Sequence, residues 1–518
     1  MKDISKKFVS LLAVSVITLS CSRADNSMLL APEQESAPVV SKDEVNTFAA
    51  ETASKIFSET DKSNPEFLTQ EQAKLDKNEM KVLDKDNDGK ITKSEVADNV
   101  KQEFDKAAKI AQQVQTPNLL AAQYEGEIPN KPAPSTFKTN KVQLFIDREE
   151  ILPMMMDVIK KAQKSIQMDL FLLGGNIGLE IAEELNKKKK EGVDIKLTFD
   201  PNLGFSGTTR NEVMKVVEYL RKNNMDFRVY PLHLMPIVDD GLLKNKFQID
   251  HNKITVIDQK TFIIGGFNLF DIGVVNRDLM LKIEGDTAKE ASDLLTYEWI
   301  LSDKYVPEKV PSKYVYVVKA LKDDPGADAQ VKIVKTAPNE SSTKEALISM
   351  IDSAKTSVYL AVLEFSDMDV TNALIRAHKR GVEVKVLMDR KNTNDKYAGG
   401  IPVPSYYPNM MPAVELVKNN VPVRWYDPRF AGQELHMKMC VTDSNKLLAG
   451  STNFTRQAFT TFRETSVVVD GGTAPNKMVR TFIEDWTSHA TAIKKVSLKD
   501  KISAKVIGFL DKKYYAWW

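Results

Sequence analysis

The sequence predicts an α/β fold built from two similar halves, preceded by a small all-helical module. The clearest sign is internal repetition. AQKSIQMDLF (162–171) returns as AKTSVYLAVLEF (354–365), GVDIKLTFD (192–200) as GVEVKVLMD (381–389), and LRKNNMDFRVY (220–230) as LVKNNVPVRWY (416–426), each pair offset by roughly 190 residues. Within each copy, amphipathic helical stretches such as NEVMKVVEYLRKN (211–223) alternate with short β-branched runs, the pattern of helices packed on a sheet. A low-order stretch at 116–140, carrying Pro117, Pro129, Pro132 and Pro134, sets the helical region 43–115 apart from everything after it.

Length and composition agree. The 518 residues, 42% of them hydrophobic, suffice for two or three packed domains and exclude a disordered or fibrous chain. Lys plus Arg (72) nearly balances Asp plus Glu (71), so no global basic field of the kind that marks many nucleic-acid binders is present.

From the N-terminus, Lys2, Lys6 and Lys7 precede an apolar run from Phe8 to Leu19 that is short for a bilayer span and reads as an export signal. The run ends in TLSC, which resembles the lipobox of bacterial lipoproteins, with Leu19 one place closer to Cys21 than the usual pattern. The resemblance implies cleavage after residue 20 and acylation of Cys21, hence a membrane-anchored protein of the cell envelope. Residues 22–42, polar and rich in small side chains, form a flexible tether. The other cysteine, Cys440, lies in an apolar strand and reads as a small buried hydrophobe.

Within the helical module, DKDNDGKITKSE (84–95) places carboxylates at loop positions 1, 3, 5 and 12, with Gly89 at 6 and Ile91 at 8. Hard oxygen ligands at this spacing, with a glycine at the sharp turn, suit Ca²⁺. The stretch resembles an EF-hand loop, which implies a Ca²⁺ site formed by Asp84, Asp86, Asp88, Lys90, Thr92 and Glu95. DKSNPEFLTQEQ (61–72) resembles a degenerate partner, with Glu66 in the glycine position and Gln72 in place of the bidentate acid. The interval between the two loops is shorter than in a usual pair.

The repeat carries a motif. HNKITVIDQKTFIIGGFN (251–268) returns as HMKMCVTDSNKLLAGSTN (436–453), so that His251, Lys253, Asp258, Gly265, Gly266 and Asn268 match His436, Lys438, Asp443, Gly450, Ser451 and Asn453. Strand alternation puts each histidine and lysine on one face and the aspartate on the other, where it serves backbone hydrogen bonds. A turn at the glycine pair then brings the asparagine back beside the histidine and lysine. Imidazole, ammonium and carboxamide together suit an anionic oxygen group, and the chain has no HxH, HExxH or CxxC with which to build a two-metal site. This leaves metal-free phosphoryl chemistry. One histidine attacks phosphorus, the other protonates the leaving alkoxide, and the lysines and asparagines hold the non-bridging oxygens.

The doubled HxKxxxxD motif, followed by GG or GS and then Asn, resembles the phospholipase D superfamily over about residues 140–490. The resemblance implies two pseudo-symmetric α-β-α lobes sharing one active site, at 141–310 and 331–518 with a linker at 311–330 between them. It also implies a phosphohistidine intermediate, resolved by water or an alcohol. Carried over, His251 is the nucleophile and His436 the acid, although the sequence does not order them. Acidic residues downstream, Asp278 in NRD (276–278) and Glu464 in FRE (462–464), are implied to orient the histidines; Phe462 stands where the family has asparagine. The catalytic set is therefore His251, Lys253, Asn268, Asp278, His436, Lys438, Ser451, Asn453 and Glu464.

The motifs do not select the phosphodiester. The GG copy looks like the cardiolipin synthase branch, and GSTNFTRQAF like the nuclease and cardiolipin hydrolase branch. The apolar, proline-rich YPLHLMPIVDDGLL (230–243) and GGIPVPSYYPNMMP (399–412) favour a glycerophospholipid over a nucleic acid. KKYYAWW (512–518) has the composition of a membrane-interface segment, and KKKK (187–190) reads as a solvated helix end. An envelope nuclease and a Ca²⁺-responsive phosphate- or lipid-binding protein without turnover stay open as alternatives.

Overall fold

The computed structural model describes residues 41–63, 65–75, 77–114, 132–200, 203, 207–230, 249–271, 273–304, 326–337, 340–390, 406–430 and 432–514. The signal-like run with Cys21, the tether up to residue 40, linker residues 116–131, loop residues 231–243, the GGIPVPS segment and the last four residues lie outside these.

Helix Lys42–Thr60 starts where the Ser41 hydroxyl accepts the Glu44 N–H, with Asp43 and Glu44 in its first turn, so the tether ends a residue earlier than the sequence implies. This helix packs against Lys93–Val114. The module is not purely helical. Strands Phe67–Thr69 and Lys90–Thr92 pair antiparallel with Leu68 opposite Ile91, both fully buried. The two loops thus pair despite their short separation, and in the degenerate one the Gln72 amide donates to Asp61 at 3.0 Å.

Most of the remaining strands follow one another by hydrogen bonding. From the first half the order runs Phe227–Val229, Asp194–Phe199, Ser165–Leu170, Lys253–Ile257, Thr261–Gly265, Leu279–Gly285 and Lys138–Ile146. Lys138–Ile146 then pairs antiparallel with Ala327–Ala337. The order continues through Glu464–Asp470, Lys446–Gly450, Lys438–Thr442, Ser357–Val362, Glu383–Met388 and Val423–Tyr426. Two boundaries shift accordingly. Lys138–Asn140 and Ala327–Gln330, expected in the two linkers, are strand, because their backbones complete this seam.

Side chains sort by strand alternation into layers. Ile254, Val256, Phe262 and Ile264 join Tyr359, Met437, Met439 and Leu447 in a core between the halves, together with helices Asp286–Leu301 and Ala474–Ser488. Ile166, Met168, Leu197 and Ile263 face helices Asp147–Lys161, Gly175–Lys190 and Gly207–Lys222 in a second core. The third core joins the second half to the N-terminal module, through Phe48 stacked on Phe509 at 4.1 Å and Lys501 donating to the Thr60 hydroxyl.

Local sequence explains the repeated helix-to-strand joints. Gly192 and Gly381, just beyond helix ends, adopt φ of +92° and +86°, a left-handed conformation that stops each helix. KKKK is a solvated face only in part: Lys187 and Lys190 are exposed, but Lys188 is buried with its ammonium on the Lys160 carbonyl, and Lys189 donates to the Asn223 carbonyl, so these two cap neighbouring helix ends. Cys440 is fully buried, and no described helix is long and apolar enough to cross a membrane.

Candidate active site

The repeated GVxxKxxxD segments position the motifs. They end at Asp200 and Asp389, whose carboxylates each accept, at 2.7 Å, the N–H of the residue preceding a motif histidine, Asp250 and Leu435 respectively. Each histidine segment then crosses to the other half. His251 N–H donates to the Arg463 carbonyl and Arg463 N–H to Ile249, while His436 N–H donates to Arg277 and Arg277 N–H to Glu434.

This crossing sets the side-chain geometry. His251 Nδ1 lies 2.8 Å from Oε1 of Glu464, and His436 Nδ1 lies 2.7 Å from Oδ2 of Asp278, so each carboxylate holds the histidine of the opposite half. With Nδ1 engaged, Nε2 of each ring is the nitrogen left for chemistry. Lys253 and Lys438 are buried beside them, each ammonium donating to the carbonyl of its own motif histidine at 2.8 and 2.6 Å. A lysine has three donors, so others remain for an anion. Asn268 and Asn453 are buried here too, each with an Oδ1 lacking a hydrogen-bond partner among the described residues.

Burial dominates the electrostatics. It pushes the His251 imidazole well below its usual range, and the charges of Lys253, Lys438 and His436 push the same way. His436 is lowered by burial and Lys438, but Asp278 opposes the shift. Burial brings the Lys253 ammonium down to about 7 against the pull of Glu464. A bound phosphate would restore the cationic forms.

Asp258 and Asp443 stand apart from the histidines. Asp258 accepts the N–H groups of Gln163, Lys164 and Ser165, and Asp443 those of Lys355, Thr356 and Ser357. This role follows from a turn, not from strand alternation. The strands end at Ile257 and Thr442, and Asp258 and Asp443 adopt φ of +54° and +52°. The turn is therefore here and not at the glycine pair. Gly265 and Gly450 end strands, and a Cβ on either would approach Leu279 O or Ser466 Oγ to 2.1 or 2.3 Å. Gly266 makes room for Asp278, whose Oδ1 would lie 2.4 Å from an added Cβ.

Ser451 changes role. Its fully buried hydroxyl donates to Glu464 Oε2 at 2.5 Å and accepts the Thr465 N–H, so the side chain braces the carboxylate, while the Ser451 backbone meets His251. Phe171 and Glu364, absent from the sequence-derived set, do approach the motifs. The Phe171 ring meets His251 edge-on at 4.7 Å with the Lys253 ammonium 4.8 Å from its centre, and Glu364 accepts from Asn453. Arg277 and Arg463, inside the NRD and FRE triplets, tie the halves together. Arg277 pairs with Asp147 and Asp485, and Arg463 with Asp169, Asp250 and Glu298.

In the N-terminal module, carboxylate oxygens of Asp84, Asp86 and Asp88 lie within 4.8 Å of one another. Glu95 spans the loop, accepting the Lys85 and Thr92 N–H groups, and Gly89 adopts a φ of +83°.

Residues 155–299 and 347–486 match the family model described as cardiolipin synthase, PLD-like domain. The chain is 26% identical over 357 residues to the cardiolipin synthase of Clostridium perfringens, covering 67% of this chain and 70% of that one. It is likewise 26% identical over 333 residues to cardiolipin synthase 1 of Staphylococcus aureus, covering 62% of each. The crystal structure of phosphatidylserine synthase from Haemophilus influenzae shares the fold, with a TM-score of 0.54 at 16% identity over 79% of this chain and 97% of that one.

Proposed function

The chain belongs to the cardiolipin synthase, PLD-like domain family, and on that premise we propose that it is a phospholipid phosphodiesterase or phosphatidyltransferase working through a phosphohistidine. In this reading the two repeats are lobes that share one site. The observation that carries it is the reciprocal hold of each motif histidine by a carboxylate from the other half. Two imidazoles so fixed can divide the roles of nucleophile and acid across one phosphate.

Neutral His251 attacks phosphorus through Nε2, with Glu464 accepting at Nδ1. The bond from phosphorus to the head-group oxygen breaks, and that oxygen takes its proton from the His436 imidazolium, which Asp278 stabilises. Lys253, Lys438, Asn268 and Asn453 hold the non-bridging oxygens as charge builds. In the second step His436, now neutral, takes the proton of water or an alcohol, whose oxygen attacks phosphorus and frees His251. The direction of the shifts supports this order, because burial and both motif lysines hold His251 well below its usual range, as a neutral nucleophile requires, while Asp278 opposes the lowering of His436.

The finer parts of the proposal are a lipid anchor at Cys21 and Ca²⁺ at the EF-hand-like loop. Asp84, Asp86, Asp88 and Glu95 offer hard oxygens at that loop, joined by the Lys90 carbonyl and by Thr92, and the donor set fits the ion. Bound there, Ca²⁺ would order the module, and the chemistry at the histidines does not require it.

Phosphatidylglycerol, phosphatidylethanolamine and cardiolipin vesicles, with single- and double-stranded DNA in parallel, test the reading by mass spectrometry of products. Phosphatidic acid or a head-group-exchanged lipid, lost in His251→Ala and His436→Ala, is expected. Cleaved DNA beside intact lipid would replace the lipid reading with a nuclease, and binding without turnover would leave a recognition protein.

A further inference from the structure

Asn453 has one recorded side-chain bond, from its Nδ2 to Oε2 of Glu364 at 3.0 Å, while its Oδ1 is buried without a hydrogen-bond partner among the described residues. Donor and acceptor chemistry turns this contact into a constraint. An ionised carboxylate only accepts hydrogen bonds, so ionised Glu364 must take the N–H side of the amide. The carbonyl oxygen of Asn453 then points elsewhere. A phosphate also only accepts, so that orientation spends one of the two Nδ2 hydrogens on Glu364, leaves at most the other for the substrate, and keeps an anionic carboxylate beside it. Once protonated, Glu364 can donate its O–H to Oδ1, and the amide, turned by half a revolution, offers Nδ2 to the phosphate.

The first half has no such device. Pairing of Leu170 with Lys253, and of Val362 with Lys438, makes Leu172 the counterpart of Glu364. Leu172 is buried in the apolar core of its half, so the position that meets Asn453 with a carboxyl is apolar at the other motif. The difference is confined to the side of the site that holds His436.

We propose that Glu364 is a positioning residue that acts through Asn453 on the substrate phosphate, and that a proton on it frees both Nδ2 hydrogens of Asn453 for that phosphate. The proposal rests on the phosphodiester reading of the site. The surroundings favour proton uptake. Burial, the largest influence, raises the carboxyl to about 7; Lys438 opposes the rise, and Glu434 and Asp389 add to it. Glu464 is a further carboxylate near Glu364. A group whose protonation strengthens binding weakens it as the pH rises through its pKa.

Sulfate, a tetrahedral anion that does not titrate near neutrality, tests this on the full chain by calorimetry from pH 6 to 8.5. The variants are Glu364→Gln, whose amide can donate to Asn453 at every pH, and Glu364→Leu, which copies the first half. His251, His436, Lys253 and Lys438 titrate in all three proteins, and losing Glu364 lowers Lys438 further, which would steepen the variants, so a steeper wild type reports Glu364 itself. Wild-type affinity is expected to fall more steeply than that of either variant, the extra loss staying within roughly ten-fold per pH unit. Equal slopes in wild type and Glu364→Gln overturn the proposal, and equal slopes in wild type and Glu364→Leu do so if the glutamine variant fails to fold. Sulfate is not turned over, so a steep wild-type slope without lipid products would sink the functional reading while the role of Glu364 stands.

Discussion

Glu464 Oε1 lies 2.8 Å from His251 Nδ1, a contact that spans 213 residues of chain and joins the second half of the molecule to the first motif. Asp278 returns the arrangement to His436 at 2.7 Å. Replacing either carboxylate by its amide keeps the shape but loses the charge and disturbs the tautomer, so Glu464→Gln and Asp278→Asn should each cost about 10²–10⁴-fold in kcat. The two should separate on a phosphatidyl ester of p-nitrophenol, whose leaving group needs no proton. In the initial burst of p-nitrophenol release, Asp278→Asn should recover much of its rate and Glu464→Gln little. The opposite pattern would make His436 the nucleophile.

Lys253 is buried, and burial brings its ammonium down to about 7. The unfolded chain keeps that proton to about 10.4. Between these values the unfolded state binds more protons, so stability should rise with pH from about 7 to about 10, the penalty being fully present below. Lys253→Met should flatten that part of the Tm profile, raise Tm near neutral pH, and cut turnover by about 10²–10³-fold. A lower Tm in the variant would contradict the account.

Asp258 and Asp443 support strands and touch no substrate in the proposed mechanism. Asp258→Ala leaves three N–H groups without their acceptor and should cost about 1–3 kcal/mol, with kcat of the folded fraction unchanged at 25 °C. Burial raises the carboxyl of Asp258, but the three N–H groups outweigh it and hold it below its usual range. Its contribution should therefore be present above about pH 4 and fade with acidification, by an amount reduced through solvent screening. Denaturant titrations at pH 7 and pH 3.5 read both effects.

Arg463 answers Asp169, Asp250 and Glu298, all buried. Arg463→Lys replaces a planar fork by a single ammonium and should destabilise the chain by about 3 kcal/mol or more, as read by urea unfolding. A loss below about 1 kcal/mol would show that the carboxylates are already neutral.

Ca²⁺ in hundred-fold excess over its Kd should stabilise the wild-type chain by about 2.7 kcal/mol. Asp84→Ala should remove that gain, and turnover should survive chelation in both proteins. Calorimetric melts with and without EDTA, followed by the vesicle assay, give the answer. If chelation stops turnover equally in wild type and Asp84→Ala, a metal belongs in the active site.

Histidines, lysines and asparagines were legible because their spacing is local and occurs twice. The repetition also hid how they combine. Aligning one copy on the other gives the same answer whether a carboxylate serves its own motif or the opposite one, so the crossing of Asp278 and Glu464 appears only in three dimensions. Ser451 misled because it occupies the place of Gly266, and its role follows from the reach of Glu464. Phe171 and Glu364 stand where the copies differ, Phe-Leu against Leu-Glu, and a reading built on similarity passes over such positions. Arg277 and Arg463 were in view, but nothing in the triplets shows that their side chains are buried.

The seam between Lys138–Ile146 and Ala327–Ala337 bears on how such a chain could arise. One half alone would leave the edge of Lys138–Ile146 bare, an invitation to recruit a second copy or to aggregate. Fusion supplies the complementary edge in cis, at an effective concentration that free subunits rarely reach. Covalent linkage also lets the copies diverge, so that a glutamate can stand at one position while its twin stays leucine, which an assembly of identical subunits cannot do.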